Sequence, residues 1–258
     1  LLQYQSNIMI VGGTASGKTT LLNAIAFFIP PENRVVSIED TRELNLPREN
    51  WLPSVVRTGV STEGAGEVDM FSLLRGSFRQ NPDYVIVGEV RGKEASVLFQ
   101  GMASGHASIS TLHADSVQAI VNRLSTPPIS LSPTLINGLD VVAIQTHAIV
   151  NGNETRRLRE IVEVIKVNPD GTSEINVPFK WNPGDDKFYV HSESKVFDKI
   201  AVKTGMTRDQ LIEEFKIRTR LLYILYQQKV LGYEEVQKVL SEYTKNPQGV
   251  LKRYGIAS

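Results

Sequence analysis

The stretch VGGTASGKTT at residues 11–20 constrains the fold of this chain more than any other feature. It contains the full pattern G-x-x-x-x-G-K-[ST], it follows the apolar run NIMIV, and an apolar helical pattern comes after it. In such a strand–loop–helix unit, backbone N–H groups and the positive end of the helix dipole surround a phosphate group. The sequence therefore predicts a phosphate-binding loop at the carboxyl end of a buried strand.

The loop predicts ATP, or a similar triphosphate, and Mg²⁺ as ligands. We expect Lys18 to reach the β- and γ-phosphates and the hydroxyl of Thr19 to ligate Mg²⁺. The predicted nucleotide-binding residues of the loop are Gly12, Gly13, Thr14, Ala15, Ser16, Gly17, Lys18, Thr19 and Thr20.

Apolar runs alternate with helical patterns up to about residue 126, which predicts βαβ units and a mostly parallel sheet. The runs are continuous, as is typical of strands covered on both faces. Residues 41–68 are predicted to be irregular. Strands are predicted at 8–11, 34–38, 84–88 and 107–112, and helices at 18–28, 69–79, 93–103 and 115–124, the last with Asp115 as N-cap.

A different organisation is predicted after residue 126. Asn151-Gly152-Asn153 separates two apolar runs and indicates a β-hairpin, and turns at 168–171 and 182–186 separate further short strands. From about residue 194 the pattern is helical. The chain is therefore interpreted as a P-loop α/β core at 1–126, a hairpin and β-meander extension at 127–193, and a helical region at 194–258.

Two helices are predicted in the last region. Thr207 and Gln210 form a capping box for a helix over 208–231, and a second helix is expected at 233–243, ending before Asn246-Pro247. An apolar stripe on the first helix is expected to pack on the core or in a small bundle, or to dock a neighbouring subunit or a membrane protein. Its members are Leu211, Phe215, Leu222 and Leu225.

Acidic residues at strand ends are candidates for the chemistry. Glu39 and Asp40 follow the second predicted strand, at the edge where open α/β sheets bind ligands. A carboxylate there orients or deprotonates an attacking water, and we assign this role to Glu39. Glu89 follows the strand YVIVG and is expected to face the metal, with Gly88 letting the γ-phosphate side approach the backbone.

Basic residues extend the candidate site. His106 and His113 flank the strand at 107–112, and His113 is expected to contact the γ-phosphate, with a structural role as the alternative for either histidine. A zinc site using both is disfavoured, because a strand separates them beyond ligand reach. An arginine would offset transition-state charge; Arg42 and Arg91 are the candidates from a predicted group that also contains Arg48, Arg57 and Arg79.

Composition excludes several classes of protein. With no cysteine, disulfides, thiolate zinc sites and cysteine nucleophiles are excluded. The 28 Lys and Arg residues balance the 28 Asp and Glu residues. The chain therefore lacks the net positive charge that would indicate binding to nucleic acid. No apolar stretch reaches the roughly 18 residues of a membrane span. Because the first residues lead straight into the loop, we expect no signal peptide and an upstream domain missing from this piece.

Four segments in order resemble the secretion ATPases of the type II/type IV pilus motor superfamily. VGGTASGKTT resembles their Walker A motif, SIEDTRELNLP the aspartate box, RQNPDYVIVGEVRGKEA the atypical Walker B motif, and GHASISTLHADS the histidine box. The segments RRLREIVEVIKV and KWNPGDDKFYV and the closing helices look like the archaeal branch, which drives pilus or archaellum assembly. The resemblance covers nearly the whole chain, more loosely in the last 60 residues.

The resemblance implies a RecA-like ATPase domain and a hexameric ring with ATP between subunits. Hydrolysis would move domains that push on a polytopic membrane platform protein, so the protein would be cytoplasmic and peripheral to the inner face of the membrane. By position, Glu39 would be the catalytic acid, Glu89 the Walker B acid, and His106 and His113 the histidine-box members. The four-cysteine zinc module of bacterial type II ATPases is absent, which argues against that branch.

Other functions remain as alternatives. A GTP-dependent switch predicts an Asn-Lys-x-Asp motif, and no Asn-Lys pair occurs. A small-molecule kinase needs an arginine-rich lid, whereas the insert at 41–68 is rich in acids and glycine. A RecA-like nucleic-acid-translocating ATPase predicts a basic pore loop, and no nucleic acid is expected at zero net charge. A nucleotide-gated module without turnover is the last alternative.

Overall fold

The computed structural model describes residues 1–59 and 66–256. The strands in these residues are β1 (Ile8–Gly12), β2 (Val35–Glu39), β3 (Trp51–Val55), β4 (Tyr84–Val87), β5 (Ala107–Leu112), β6 (Val141–Val150), β7 (Asn153–Val167), β8 (Ser173–Asn182) and β9 (Lys187–Val190). They form one sheet in the order β3-β2-β4-β5-β1-β6-β7-β8-β9. The pairs from β3 to β6 are parallel and those from β6 to β9 antiparallel, so the predicted mostly parallel sheet is confirmed.

Helices cover both faces of the parallel part of the sheet. Those in the described residues are α1 (Lys18–Ala26), α2 (Met70–Ser77), α3 (Glu94–Ala103), α4 (Val117–Ser125), α5 (Pro133–Ile136), α6 (Val196–Thr204), α7 (Arg208–Gln227), α8 (Tyr233–Lys245) and α9 (Pro247–Arg253). Alternate residues of β1 enter different cores: Met9 and Val11 pack with α2 to α5, whereas Ile8 and Ile10 pack with α1, α6 and the start of α7. This double burial explains the unbroken apolar runs.

The prediction that residues 41–68 are irregular is wrong for one segment. Trp51–Val55 forms β3, which pairs in parallel with β2 at the sheet edge, and the Trp51 indole donates a hydrogen bond of 2.8 Å to the Ser37 hydroxyl. Pro53 disguises the strand, because proline lacks a ladder donor and is confined to edge strands. Residues 60–65 of the same prediction lie outside the described residues.

The predicted hairpin is confirmed, and it extends the main sheet. Asn151 and Gly152 adopt φ values of 50° and 79°, as the turn between β6 and β7 requires. β6 pairs in parallel with β1 on one side and antiparallel with β7 on the other. The strand that begins the second predicted region therefore lies directly beside the strand that carries the phosphate loop. The three-part division of the chain remains a proposal.

The predicted N-cap of α4 is wrong by one residue. Ser116, in extended conformation, accepts the backbone N–H of Ala119, whereas the Asp115 carboxylate accepts the hydroxyl of Ser116. Both residue types are favoured N-caps, so the local sequence did not separate them.

The helical region holds a small core of its own. The predicted capping box of Thr207 and Gln210 is confirmed, and the helix ends at Gln227, four residues earlier than predicted. Pro247 starts α9 and does not merely end the preceding helix, because Asn246 caps the new one by accepting the N–H of Gly249. None of the helices in the described residues combines the length and apolarity that crossing a bilayer requires.

The predicted stripe on α7 is only partly right. Leu211 and Leu225 are buried, but Phe215 and Leu222 are 42% and 36% exposed, and Leu221 is buried in their place. Leu211 packs on the core of the sheet, whereas Leu221 and Leu225 pack on α8 and α9. The helix has two different partners along its length, so one continuous face does not describe its burial.

Candidate functional site

The phosphate loop connects β1 to α1 as predicted. Gly17 is the N-cap of α1 and has a φ of +94°, a conformation that is unfavourable for residues other than glycine. The Lys18 ammonium turns back onto the loop and donates to the carbonyl oxygens of Gly12 at 3.0 Å and Gly13 at 2.8 Å. Burial lowers the pKa of Lys18, and the charge of Glu89 opposes this shift.

A polar cavity of about 400 Å³ lies over this loop. Residues 14–20 line it together with residues from the carboxyl ends of β2, β4 and β5. The predicted residues Glu39, Asp40, Glu89, Arg91 and His113 all border it. Gly12 and Gly13 do not line the cavity, and they contribute the carbonyls that hold Lys18. The ends of β1, β2, β4 and β5 thus bring together residues that are up to 99 positions apart in the numbering, from Thr14 to His113.

Glu39 is held rigidly with one oxygen left over. The residue is 2% exposed, and its Oε1 accepts the backbone N–H groups of Glu43 and Leu44, each at 2.9 Å. Its Oε2 is buried and has no hydrogen-bond partner among the described residues. Since buried polar atoms are normally paired, this oxygen is available to accept a hydrogen bond from a group in the cavity.

Gly88 provides the space that Glu39 occupies. A Cβ at position 88 would lie 3.0 Å from the Glu39 Cγ, closer than van der Waals contact. The glycine therefore lets a side chain of the neighbouring strand approach, in addition to the role predicted for it toward a phosphate.

Glu89 sits at the centre of a group of charges. Its Oε2 accepts a 2.6 Å hydrogen bond from Arg91, and its Oε1 lies 3.4 Å from Nε2 of His113. Arg91 also lies 3.4 Å from Asp40. The hydrogen bond from Arg91 holds the pKa of Glu89 below its ordinary value; burial opposes this, and the charges of His113 and Lys18 support it. Glu89 is therefore a carboxylate at neutral pH.

The loop that carries Arg91 is fixed by a residue that sequence reasoning did not single out. Glu94 is buried at the start of α3, and its Oε1 accepts the backbone N–H groups of Arg91 at 2.5 Å and Gly92 at 2.7 Å. Its position three residues after Arg91 resembles a helix-capping arrangement in which a side chain satisfies free N–H groups. This spacing is the signal that was available in the sequence.

His106 and Arg42, both predicted at the site, lie elsewhere. His106 precedes β5, at the opposite end of the strand from His113, and its ring packs on Phe78 with centroids 4.7 Å apart. Arg42 is exposed and stacks over the Trp51 ring at 5.1 Å. Neither borders the cavity, so the nucleotide-binding role predicted for His106 and the catalytic role predicted for Arg42 find no geometric support in this chain.

The other predicted arginines do not border the cavity either. Arg48 donates to the carbonyls of Pro30 and Asn33, and Arg57 donates to the carbonyl of Gly66. Arg79 lies in a short 3-10 turn after α2. Arg156, on β7, does border it and was not predicted as a site residue, because it lies 40 residues beyond the end of the histidine-box segment at Ser116.

The donors at the cavity suit Mg²⁺ held jointly with a nucleotide. Thr19 offers a hydroxyl and Glu89 a carboxylate, both oxygen ligands of the kind that Mg²⁺ prefers. Within residues 1–59 and 66–256, no three His, Asp or Glu side chains come close enough together to hold a metal by themselves. When Mg²⁺ is bound together with a nucleotide, it takes one or two protein ligands, and phosphates and water complete its coordination.

A second cavity, of about 330 Å³, lies between α1 and the helices α7 and α8. Its walls are chiefly aliphatic and aromatic, with Ile25, Phe27 and Leu240 among them. The phosphate loop residues do not border it, so the chemistry predicted from the loop belongs to the polar cavity.

Comparison with known proteins finds one matching family model and several proteins of similar sequence. The family model described as type II/IV secretion system protein matches residues 1–176. Uncharacterized protein MJ1287 of Methanocaldococcus jannaschii is 39% identical over 96% of this chain and 92% of that protein. Protein MJ0900 of the same organism is 35% identical over 96% of this chain and 46% of that protein. The type IV secretion system protein PtlH of Bordetella pertussis is 44% identical over 48% of this chain and 37% of that protein.

One solved structure supports the fold. The VirB11 ATPase from the Brucella suis type IV secretion system, in complex with sulphate, matches with a TM-score of 0.52 and 30% identity. The match covers 62% of this chain and 48% of that one. The chain thus spans nearly the full length of one relative and about half the length of others.

Proposed function

The chain belongs to the type II/IV secretion system protein family, and on that premise we propose that it is a Mg²⁺-dependent ATPase that acts as a motor. Its output would be the assembly of a type IV pilus-like filament, an archaellum or a secretion system at the membrane. The observation that carries the enzymatic part is the convergence of Lys18, Glu39 and Glu89 on one polar cavity.

The geometry around Glu39 supports hydrolysis. Hydrolysis requires a group that orients a water molecule for attack on the γ-phosphorus, in line with the leaving oxygen. Glu39 Oε2 is free of partners among the described residues, and backbone N–H groups fix the other oxygen, so the carboxylate is preorganised to accept a hydrogen bond from that water. We assign Glu39 as the residue that positions and deprotonates the water.

The remaining groups surround the phosphates. Lys18 would exchange its two loop carbonyls for β- and γ-phosphate oxygens, which are stronger acceptors because they are charged. Thr19 and Glu89 would hold Mg²⁺, which when bound neutralises charge on the phosphates. Arg91 and His113, both within reach of Glu89, would lie next to the γ-phosphate and offset charge that develops there.

The mechanical part of the proposal rests on family membership. We propose that the chain works in a hexameric ring, with nucleotide bound between subunits, on the inner face of the membrane. A polytopic platform protein would receive the motion. The VirB11 ATPase belongs to a type IV secretion system, and PtlH is a protein of such a system, which supports this class of output.

Steady-state ATP hydrolysis of wild type, Lys18→Ala and Glu39→Gln tests the enzymatic part. We expect Lys18→Ala to weaken nucleotide binding and to abolish turnover, because it removes a charge from the phosphate site. Glu39→Gln keeps the shape and should bind a fluorescent ADP analogue normally, while kcat falls by about 10²- to 10⁴-fold, the usual contribution of a general base.

Thermal melting of the three proteins controls for misfolding. Equal turnover in all three proteins would refute the proposed ATPase mechanism. Titration with DNA over a range of salt concentrations distinguishes the proposed motor from a nucleic-acid-translocating ATPase. The latter would bind DNA, and its affinity would fall as the salt concentration rises. Salt-sensitive DNA binding that stimulates turnover would favour that alternative.

A further inference from the structure

We propose that Arg156, on β7, binds the α- and β-phosphates of the nucleotide, so that the hairpin beyond residue 126 completes the nucleotide site. The proposal rests on the ATPase function proposed above and adds to it a residue from outside the Walker A, aspartate-box, Walker B and histidine-box segments. The observation behind it is that Arg156 borders the same cavity as the phosphate loop.

The stem of Arg156 lies against the phosphate loop. A Cβ built on Gly17 would be 3.3 Å from the Arg156 Cδ and 3.8 Å from its Cβ, so the aliphatic part of the arginine covers the residue that caps α1. Alternation along β7 places Arg156 on the same face as Leu158, which packs against the core beneath α1. The side chain therefore passes over the loop in a direction set by the strand.

Among residues 1–59 and 66–256, no acidic side chain pairs with Arg156. Its neighbours on β7 are paired: Arg157 lies 2.7 Å from Asp186, and Arg159 lies 3.0 Å from Glu160. An exposed arginine beside an anion-binding loop, with no acid to neutralise it, is suited to a phosphate, which it can bind through two N–H groups.

The order of the strands indicates which phosphates it contacts. Glu39 ends β2, and Glu89 and His113 follow β4 and β5. These three strands lie on one side of β1, whereas β7 lies on the other side beyond β6. The acids and His113 mark the γ-phosphate end of the cavity. Arg156 therefore lies at the opposite end, where the loop N–H groups surround the α- and β-phosphates.

Calorimetric titration of the 258-residue chain with ADP and with a non-hydrolysable ATP analogue tests the assignment. We expect Arg156→Gln to weaken both nucleotides by the same factor, about tenfold, as for loss of a charged hydrogen bond. KM for ATP should rise by a similar factor while kcat at saturating ATP stays within about twofold, since both phosphates are contacted before and during the reaction. Adenosine, used as a competitor, should be unaffected.

Two further variants provide controls. Arg156→Lys keeps the charge and should recover part of the affinity. Arg220→Gln removes an exposed arginine from α7, away from the cavity, and should change neither constant. The penalty of Arg156→Gln should also shrink as salt is raised, because the contact is exposed.

The outcomes separate this assignment from the proposed function. If wild type binds and hydrolyses ATP but Arg156→Gln has the same KM and affinities, the assignment to Arg156 is wrong and the ATPase stands. A fall in kcat at unchanged KM, a loss for the ATP analogue alone, or an equal loss in Arg220→Gln would also overturn it. If wild type binds no adenine nucleotide, both proposals fail.

Discussion

Glu39 depends on its neighbours for a position that no motif alone would fix. Two backbone N–H groups hold one oxygen, and Gly88 on the adjacent strand leaves room for the side chain. Catalytic groups lose much of their effect when they are displaced by as little as 1 Å. For the proposed hydrolysis, Gly88 is therefore as important as the carboxylate of Glu39.

Gly88→Ala tests this dependence. The added Cβ would lie 3.0 Å from the Glu39 Cγ, which must move. We expect kcat for ATP to fall by about 10- to 100-fold, with ADP affinity nearly unchanged because the phosphate loop is untouched. Gly76→Ala is the matched control: nothing lies within 4 Å of its added Cβ, it is inside α2, and it should leave kcat unchanged while stabilising the fold by roughly 0.5–1 kcal/mol. A normal kcat in Gly88→Ala would mean that turnover does not depend on the exact position of the Glu39 side chain.

The positions of residues at strand ends could be predicted from the sequence, whereas the positions of arginine side chains in loops could not. Glu39, Glu89 and His113 directly follow apolar runs, and parallel pairing brings those ends together. Arg42 and Arg91 look alike as loop arginines, but one stacks on Trp51 and the other pairs with Glu89. What decides between them is a partner that tertiary structure supplies.

Helix α7 shows that secondary-structure elements, too, are predicted incompletely where tertiary contacts decide their burial. Its capping box is a local signal and was found, but its buried face depends on two separate partners, the sheet and the pair α8–α9. Strand β3 was missed for a related reason, since an edge strand with three of its five residues exposed lacks an unbroken apolar run. Elements buried on both faces were therefore predicted more fully than those at the margins.

Leu221→Ala and Leu222→Ala test the corrected face of α7. Leu221 is 1% exposed, and its truncation should lower the free energy of unfolding by about 2–5 kcal/mol, because apolar contacts are lost and a void remains. Leu222 is 36% exposed, and its truncation should change stability by no more than about 0.5 kcal/mol. Urea unfolding followed by circular dichroism measures both. The reverse order of effects would restore the stripe predicted from the sequence.

At the scale of the whole molecule, the proposal requires assembly. If the chain forms the ring, light scattering in the presence of a non-hydrolysable ATP analogue and Mg²⁺ should give a mass six times the 28.7 kDa of one chain. Without nucleotide we expect smaller species, because nucleotide would bridge adjacent subunits. A 28.7 kDa particle at every concentration with the analogue present would count against a ring formed by these residues.

The arrangement of the sheet also sets the order in which the site can form during synthesis. β1 is made well before its partners on either side: Ile8 pairs with Ile109 of β5 and with Val141 of β6. The strand that carries the phosphate loop therefore lacks its β5 partner until residue 112 has been made, and its β6 partner until residue 150 has been made. Contacts so distant in sequence slow folding, since the intervening chain must be closed into a loop. A nascent chain released before residue 141 would display β1 with an open edge, ready to pair with another molecule.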